Sequence, residues 1–328
     1  MKNFFLQIAI YATVFFALNL ALGYWLWTYE TEDMRQANLL HPAQQWSDFY
    51  KNEPQTVDAL VLGSSHAYRA YRPAVFEKEL AFNTFFNFGS AAQSPITSHF
   101  ILKEVLQTQR PKVVIFDLYY MVFTSNDQLK NGLPIYSELQ AGSAKDAFLK
   151  NGFSWQEQLQ FRFFPTYVYR QYFPKKVNKM LGRSYLPPPD KEYGANGFVF
   201  STDTIALAKL QYDNQFARYS TELDQLTATN LMFFEKTIAL CKKEGIPIVL
   251  MSAPLPELSI QKIKNYMEFS TFFTNTAQRL EVDYYDFSVD RLADIRDEEH
   301  FVDDDHLNLS GADLYSTKVA AILKKYQQ

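Results

Sequence analysis

The feature that most constrains this chain is a regular alternation of short apolar runs and amphipathic segments, which begins at residue 57. Buried strands are predicted at residues 57–62, 84–88, 113–116, 248–251 and 284–287. Helices are predicted at residues 73–80, 95–109, 227–244 and 259–280, and from Ser310 onward. Such alternation is typical of a three-layer α/β fold, in which a doubly wound parallel sheet carries helices on both faces.

Between residues 124 and 226 the alternation stops, and the chain becomes rich in aromatic and turn residues. We interpret this stretch as a mostly helical insertion within one α/β domain that spans residues 57–328. Insertions after a central strand commonly shape a substrate cleft. Residues 28–56 are polar and mixed and are expected to form a connector.

The N-terminus carries an apolar run over residues 4–27, interrupted only by Gln7, Thr13 and Asn19. This length meets the roughly 20 residues that a helix needs to cross a bilayer. Lys2 precedes the run and acidic residues follow it, so the N-terminus is expected inside and the rest of the chain outside the cytoplasm. We therefore predict a transmembrane anchor at residues 1–27. A cleaved signal peptide ending at Ala21-Leu22-Gly23 is the alternative.

Composition narrows the class of protein further. The formal net charge of −4 gives no basic field for nucleic acid. Aromatic residues make up 16% of the chain, which indicates a large core and a membrane-facing surface, with carbohydrate-stacking surfaces as the alternative. The single cysteine, Cys241, is expected to pack as a small apolar residue.

Two short motifs carry the candidate chemistry, and the first is Val61-Leu62-Gly63-Ser64-Ser65-His66 at the end of the first strand. Open α/β sheets bind ligands at the carboxyl ends of their strands, which places Ser65 at that edge. A serine becomes a nucleophile when an imidazole accepts its proton and a carboxylate orients the imidazole. An ordinary Gly-Ser-Ser loop is the alternative.

The second motif is Asp303-Asp304-Asp305-His306, just before the final helix. His306 could be the base, and Asp303 could reach its Nδ1. A capping box of Ser310 and Asp313 would fix the start of the helix. The alternatives are a solvated acidic loop and a metal site, whose ligands would be His300, Asp304, Asp305 and His306. Spacing alone supports a metal poorly, so we predict no metal and no cofactor.

Together these motifs resemble the SGNH/GDSL hydrolase superfamily. That family has its nucleophile in a Gly-Asp-Ser-like block after the first strand, a glycine block after the second and an Asp-x-x-His block before the last helix. The matching segments here are Gly63-Ser64-Ser65, Asn87-Phe88-Gly89 and Asp303-Asp304-Asp305-His306. The Gly-Ser-Ser variant, the anchor and the insertion make the chain similar to the DltD-like and alginate-acetylation-like branches, which are membrane-anchored. The resemblance covers residues 57–123 and 227–326.

The resemblance implies that Ser65 is the nucleophile, His306 the general base and Asp303 its orienting carboxylate. It also implies that the backbone N–H groups of Ser65 and Gly89 form an oxyanion hole. Ser64 is the alternative nucleophile, but its position matches the family's aspartate.

One block departs from the family pattern. The family has Gly-x-Asn-Asp after the third strand, whereas this chain has Asp117-Leu118-Tyr119-Tyr120, so the usual asparagine donor is missing. Asn126 is the candidate replacement. Three residues that follow the nucleophile are expected to line the cleft or contact substrate: His66, Arg69 and Arg72.

The function that the resemblance implies is a serine-dependent esterase or O-acyltransferase, which forms an acyl-enzyme on Ser65. Its substrate would be an acylated cell-envelope polysaccharide or glycopolymer, outside the bacterial cytoplasmic membrane, and a multi-span membrane O-acyltransferase is compatible as a partner. The missing asparagine motivates the alternative, a catalytically weak or inactive scaffold or glycan-binding protein. A flavodoxin-like nucleotide binder is less favoured, because no Gly-x-Gly-x-x-Gly loop occurs.

Overall fold

The computed structural model describes residues 2–33, 42–125, 127–183, 192–217 and 223–326, except for the side chains of residues 2, 30 and 31. Its strands in these ranges are β1 (Ala59–Leu62), β2 (Phe85–Asn87), β3 (Val113–Asp117), β4 (Glu192–Tyr193), β5 (Val199–Phe200), β6 (Ile248–Ser252) and β7 (Asp283–Asp286). Five of them form a parallel sheet in the order β2–β1–β3–β6–β7, while β4 and β5 form a small antiparallel pair.

The first helices in the chain are α1 (Lys2–Thr28), α2 (Pro42–Phe49), α3 (Ser65–Ala70), α4 (Pro73–Leu80) and α5 (Pro95–Val105). Within the predicted insertion lie α6 (Leu133–Glu138), α7 (Ser143–Gly152), α8 (Trp155–Phe163), α9 (Pro165–Tyr169), α10 (Phe173–Met180) and α11 (Leu207–Tyr212). The remaining helices are α12 (Ala228–Lys243), α13 (Glu257–Ile260), α14 (Tyr266–Arg279), α15 (Asp297–His300) and α16 (Leu309–Leu323).

The central strands are buried on both faces, because helices cover both sides of the sheet. Successive residues of a strand point to opposite faces. In β1, Leu60 and Leu62 join one core cluster, whose helices include α5, α12 and α14. Ala59 and Val61 join the other, which includes α4 and α16. The predicted three-layer α/β fold with its mostly helical insertion is confirmed.

Part of the predicted connector contributes to the core. In α2, Trp46 and Phe49 are 1% and 2% exposed. The Trp46 ring lies 5.3 Å from that of Phe88, and the Phe49 ring lies 5.6 Å from that of Phe86. These contacts attach α2 to β2 and to the loop that follows it.

Two details at the C-terminal end differ from the sequence-based expectation. The helix predicted at 259–280 is two helices, α13 and α14, separated by residues 261–265. The start of α13 lies at Glu257, where Asp297 accepts hydrogen bonds from the Glu257 and Leu258 amides. The final helix is capped by Asn308, whose side chain accepts from the Gly311 amide at 3.0 Å. The predicted capping box at Ser310 was wrong, because the helix begins one residue earlier.

The apolar N-terminal run forms one continuous helix. Residues 3–28 are long and apolar enough to cross a membrane, with a mean hydropathy of 1.9 over an 18-residue window. Most of its large side chains are exposed on the folded chain. The helix is as predicted; its membrane span and orientation remain predictions.

Candidate active site

The two sequence motifs meet at the carboxyl edge of the sheet. Ser65 Oγ lies 2.8 Å from His306 Nε2, although 241 residues separate them. On the other side of the imidazole, Nδ1 lies 2.9 Å and 3.0 Å from the two carboxylate oxygens of Asp303. This is the hydrogen-bonded order that a serine nucleophile, its base and the carboxylate orienting that base require.

Ser65 is the first residue of α3, which begins directly after β1. Gly63 makes this sharp transition feasible, because a Cβ there would lie 2.9 Å from the Cβ atoms of both Ala67 and Asp117. Ser64 is the N-cap, and its buried hydroxyl accepts from the His66 amide at 3.4 Å. The Ser64 hydroxyl therefore caps the helix, while the Ser65 hydroxyl faces the His306 imidazole.

The Asp303 side chain also shapes the loop that carries the base. Its Oδ1 accepts hydrogen bonds from the backbone N–H groups of Asp305 at 3.0 Å and of His306 at 2.7 Å. Aspartate commonly closes turns in this way. The turn returns the imidazole onto the carboxylate, which explains physically why the aspartate stands three residues before the histidine.

A second carboxylate contacts the same imidazole. Asp305 Oδ1 lies 2.7 Å from His306 Nδ1, yet only Asp303 satisfies hydrogen-bond geometry there. Burial lowers the pKa of His306, but the nearby Asp305 and Asp303 carboxylates outweigh it and raise the pKa well above its usual value. Burial raises the pKa of Asp305, but His306 and His66 hold it well below the usual range.

His66 lies behind the His306 imidazole. Its ring stacks on Tyr119 at 3.8 Å between centroids, and its Nε2 lies 3.6 Å from Asp305 Oδ2. The Tyr119 hydroxyl donates to the same Asp305 oxygen at 3.3 Å. Burial lowers the pKa of His66, which keeps this imidazole neutral. The sequence did not reveal that Asp305 and Tyr119 belong to the site; the place of Tyr119 just after a central strand was the available signal.

A cavity of about 370 Å³ opens beside Ser65. Its wall combines apolar, hydroxyl and amide side chains with the carboxylates of Asp127 and Asp305, and no basic residue is among the described residues that line it. Ala92 in this wall has φ +47°, a backbone conformation that is costly for a residue with a side chain and is often found at functional sites. The lining residues are Ser64, Ser65, Ala92, Ser94, Tyr119, Met121, Val122, Thr124, Ser125, Asp127, Gln128, Asn131, Gln215 and Asp305.

The insertion is joined at this cavity to the loop that carries His306. Gln215 donates to Asp304 through its backbone N–H at 2.7 Å and through its side chain at 2.8 Å. Asp304 is therefore a structural link between the loop and the insertion, whereas its neighbours contact the imidazole. Sequence patterns did not identify Gln215, because nothing local to it signals a contact 89 residues away.

The two backbone amides predicted to form the oxyanion hole, those of Ser65 and Gly89, differ in whether they already donate a hydrogen bond. The Ser65 N–H belongs to the first turn of α3, where helix amides have no partner inside the helix, and it donates to no group in the described part of the chain. The Gly89 N–H instead donates to the side-chain oxygen of Asn87 at 2.9 Å. Asn87 is itself fixed, because its Nδ2 donates to the carbonyls of Ala67 and Tyr71.

The segment that replaces the family's third block places no asparagine at the site. Asp117 ends β3 and points into the protein, where its carboxylate accepts from the Tyr71 hydroxyl at 2.9 Å and the Ala253 amide at 3.2 Å. Burial raises the pKa of Asp117 to about 7. Asn126, the predicted replacement donor, lies outside the described residues.

The structure does not bring the other predicted substrate contacts to the cavity wall. His66 and Arg69 are both 4% exposed, and neither is among the residues that line the cavity. Arg72 pairs with both carboxylate oxygens of Asp313, at 2.5 Å and 2.7 Å, and lines a different cavity next to Gly194 and Leu309.

One cluster near the site has the composition of a cation site. His66, Asp305 and His306 each offer a ligand atom, and these atoms lie within 4.8 Å of one another. The nitrogen atoms of His306 already contact Ser65 and Asp303, so a cation would compete with these two residues for the imidazole. His300 takes no part, since its Nδ1 accepts from the Arg296 amide at 2.9 Å.

Comparisons with known proteins give little beyond this geometry. No protein-family model matches the sequence, and no curated protein shows significant similarity to it. Among solved structures with a similar backbone is that of a "putative acylhydrolase" from Bacteroides fragilis NCTC 9343. It is 9% identical over 89% of this chain and 98% of its own, with a TM-score of 0.40.

Proposed function

We propose that this protein is a serine-dependent esterase or O-acyltransferase that acts through an acyl-enzyme on Ser65. The observation that carries the proposal is the continuous hydrogen-bonded chain from Ser65 Oγ through the His306 imidazole to the Asp303 carboxylate. The resemblance of the three motifs to the SGNH/GDSL superfamily supports the same chemistry.

In the proposed reaction, Ser65 Oγ attacks the ester carbonyl while His306 Nε2 takes the hydroxyl proton. Asp303 holds the proton on Nδ1 and stabilises the imidazolium that forms. The tetrahedral intermediate expels the alcohol, which leaves with the proton from His306. Water or a sugar hydroxyl then attacks the acyl-Ser65 ester, with His306 again as base, and the serine is restored.

The cavity supports a neutral ester as substrate. Its walls offer hydroxyl and amide groups suited to hydrogen bonding, beside the apolar side chains of Met121 and Val122, and the carboxylates of Asp127 and Asp305 would repel an anion. No basic side chain in the described wall would attract an anionic group. We therefore propose a small acyl group linked to a hydroxyl-rich polymer, a cell-envelope polysaccharide or glycopolymer.

We further propose that α1 is a single membrane span, with the catalytic domain outside the cytoplasm. The apolar length of the helix and the charges on its two sides support this orientation. The ester substrate and an acyl-exporting membrane partner would then lie on the same side of the membrane as Ser65.

A fluorophosphonate probe tests the nucleophile on the purified full-length protein. Labelling is expected in wild type and in Ser64→Ala, and is expected to be lost in Ser65→Ala. The Ser64→Ala protein is the matched control, because it changes the neighbouring hydroxyl and leaves the triad intact. Labelling that persists in Ser65→Ala, or no labelling of wild type, would overturn the proposal.

A second candidate function is a scaffold or glycan-binding protein with little catalysis. The bond between the Gly89 amide and Asn87 favours it, because this amide is then not available as a free donor. Losing one oxyanion donor typically costs about 10²–10³-fold in rate. An unlabelled wild-type protein that still binds acylated polysaccharide would support this candidate.

A further inference from the structure

A stretch of the insertion exposes an unusual number of large apolar side chains. We call residues 155–181, which contain α8, α9 and α10, the aromatic hairpin. Outside α1, fourteen large apolar side chains are exposed in the described ranges, and eight of them lie in this hairpin: Trp155, Leu159, Phe163, Phe164, Tyr167, Phe173, Met180 and Leu181. Exposed apolar patches of this density mark contact surfaces.

The turn of the hairpin lies against the second half of α1. Asn19, one of the few polar residues of the apolar run, donates from Nδ2 to the Phe163 carbonyl at 2.5 Å. Its own carbonyl accepts from the Thr166 hydroxyl at 2.7 Å. One turn later, Gly23 has no room for a side chain, because a Cβ there would lie 2.6 Å from Pro165. Asn19 and Gly23 therefore form a notch in α1 that the hairpin occupies.

The contact extends in both directions along α1. Toward the N-terminus, the Phe164 ring lies 6.0 Å from that of Phe16. Toward the C-terminal end, Lys176 donates to the Thr28 hydroxyl at 2.8 Å and pairs with Asp33 at 3.2 Å. The hairpin thus follows α1 from Phe16 to Thr28, about half of its length.

This alignment sets the depth of the hairpin. Phe16 precedes Trp27 by eleven residues, which is about 16 Å along a helix. The apolar core of a bilayer is about 30 Å thick. If α1 spans the membrane as proposed above, its partner Phe164 lies inside the leaflet nearest the catalytic domain.

The charges of the hairpin point to an anionic lipid surface. Residues 155–181 contain one acidic residue, Glu157, and five basic ones, Arg162, Arg170, Lys175, Lys176 and Lys179, of which the last two pair with Asp33. Aromatic side chains with lysine and arginine are typical of helices that lie in a membrane interface. Long basic side chains can keep their charges at the headgroups while their stems lie deeper.

We infer that the aromatic hairpin is a second membrane-contacting element, inserted beside α1 into the anionic leaflet on the side of the catalytic domain. The inference rests on the proposed membrane span of α1. In this arrangement the hairpin holds the catalytic cavity close to the lipid surface. The two are neighbours, because Asp127 lines both that cavity and a second cavity of about 380 Å³ whose wall includes Tyr167 and Arg170 of the hairpin.

Tryptophan quenching by brominated lipid tests this on the full-length protein. The vesicles contain phosphatidylcholine and phosphatidylglycerol brominated midway along their acyl chains. The reporter is Phe164→Trp in a background of Trp25→Phe, Trp27→Phe and Trp155→Phe, which leaves only Trp46 in the core. The matched control is Met267→Trp in the same background, because Met267 is similarly exposed but lies on α14. The reporter for α1 is the Trp155→Phe protein, whose tryptophans are Trp25 and Trp27 on α1 and the buried Trp46.

The Phe164→Trp reporter is expected to lose as much fluorescence as the α1 tryptophans do, while the Met267→Trp control keeps its signal. If α1 is quenched and the Phe164→Trp reporter is not, the inference is overturned and the proposed anchor stands. If neither is quenched, the anchor fails together with the inference. Quenching of the Met267→Trp control to the same extent would also overturn it, since contact with lipid would then not be specific to the hairpin.

Discussion

Asp305 Oδ1 lies 2.7 Å from His306 Nδ1, the nitrogen that Asp303 already holds at 2.9 Å. The His306 imidazole therefore faces two carboxylates on one side and the Ser65 hydroxyl on the other. Because Asp303 also closes the backbone turn, the two acids have different roles: Asp303 orients the imidazole, and Asp305 mainly raises its pKa.

We predict that Asp305→Asn moves the acidic limb of the activity profile to lower pH. His306 accepts a proton only when neutral, so activity is lost as pH falls through its raised pKa. Removing one carboxylate lowers that pKa and extends activity downward. The measurement is p-nitrophenyl acetate hydrolysis against pH. Asp304→Asn is the control, since Asp304 contacts Gln215, and an unmoved limb in Asp305→Asn would contradict the assignment.

Asp303→Asn is expected to reduce the rate about 10³–10⁴-fold at every pH, because an amide can hold the imidazole in the wrong tautomer. The rate of fluorophosphonate labelling measures this directly. Asp305→Asn should keep most of its plateau rate. If the two variants lost activity in the opposite order, Asp305 would be the orienting acid.

Asn87→Ala is expected to destabilise the fold by about 2–5 kcal/mol, because it leaves the Tyr71 carbonyl and the Gly89 amide without a partner, at about 1–3 kcal/mol each, and removes one of the two hydrogen bonds to the Ala67 carbonyl. Urea unfolding of the detergent-solubilised protein measures the free energy of unfolding. Asn83→Ala, an exposed asparagine in the same segment, should change it by less than about 0.5 kcal/mol. Equal effects would show that the Asn87 contacts contribute little.

Arg72→Ala is expected to leave kcat/KM unchanged, since Arg72 pairs with Asp313 away from the catalytic cavity. The pair is partly exposed, so its loss should cost at most about 1 kcal/mol. Steady-state kinetics with a neutral and an anionic ester check the first expectation. A selective loss of activity toward the anionic ester would restore Arg72 as a substrate contact.

Gly23→Leu is expected to displace the aromatic hairpin from α1, because even the Cβ would lie 2.8 Å from the Thr166 backbone nitrogen. Trypsin should then cleave faster at Arg162 and Arg170 in detergent micelles, as measured by mass spectrometry of the fragments. Ala21→Leu is the matched control, since Ala21 is exposed on another face of α1. Equal cleavage in both variants would count against the notch.

The sequence pattern predicted a helix correctly where residues within the helix itself determine its start and its buried face. The helix predicted at 73–80 has the observed bounds of α4, because Pro73 suits its first turn and one of its faces is buried. The helix predicted at 259–280 failed for the opposite reason. The observed start at Glu257, two residues before the predicted one, involves Asp297, which contacts the first amides of α13 from beyond β7.

The site shows the same division. Ser65, Asp303 and His306 were identifiable because their motifs stand at a strand end and a helix start, where parallel sheets gather functional groups. The hydrogen bond from the Gly89 amide could not be identified from the sequence. It depends on the orientation of the Asn87 side chain, which lies between α3 and the loop after β2.

By itself, the sequence determined the α/β class, the apolar N-terminal helix and the identity of the three residues that form the hydrogen-bonded chain, since burial periodicity and motif position are local properties. Only the tertiary structure decided that Asp305 shares the imidazole with Asp303, that Arg72 turns to Asp313 and that the aromatic hairpin lies along α1. These contacts connect elements that are far apart in the sequence. Whether such residues come within a few ångströms of one another depends on how the whole chain packs.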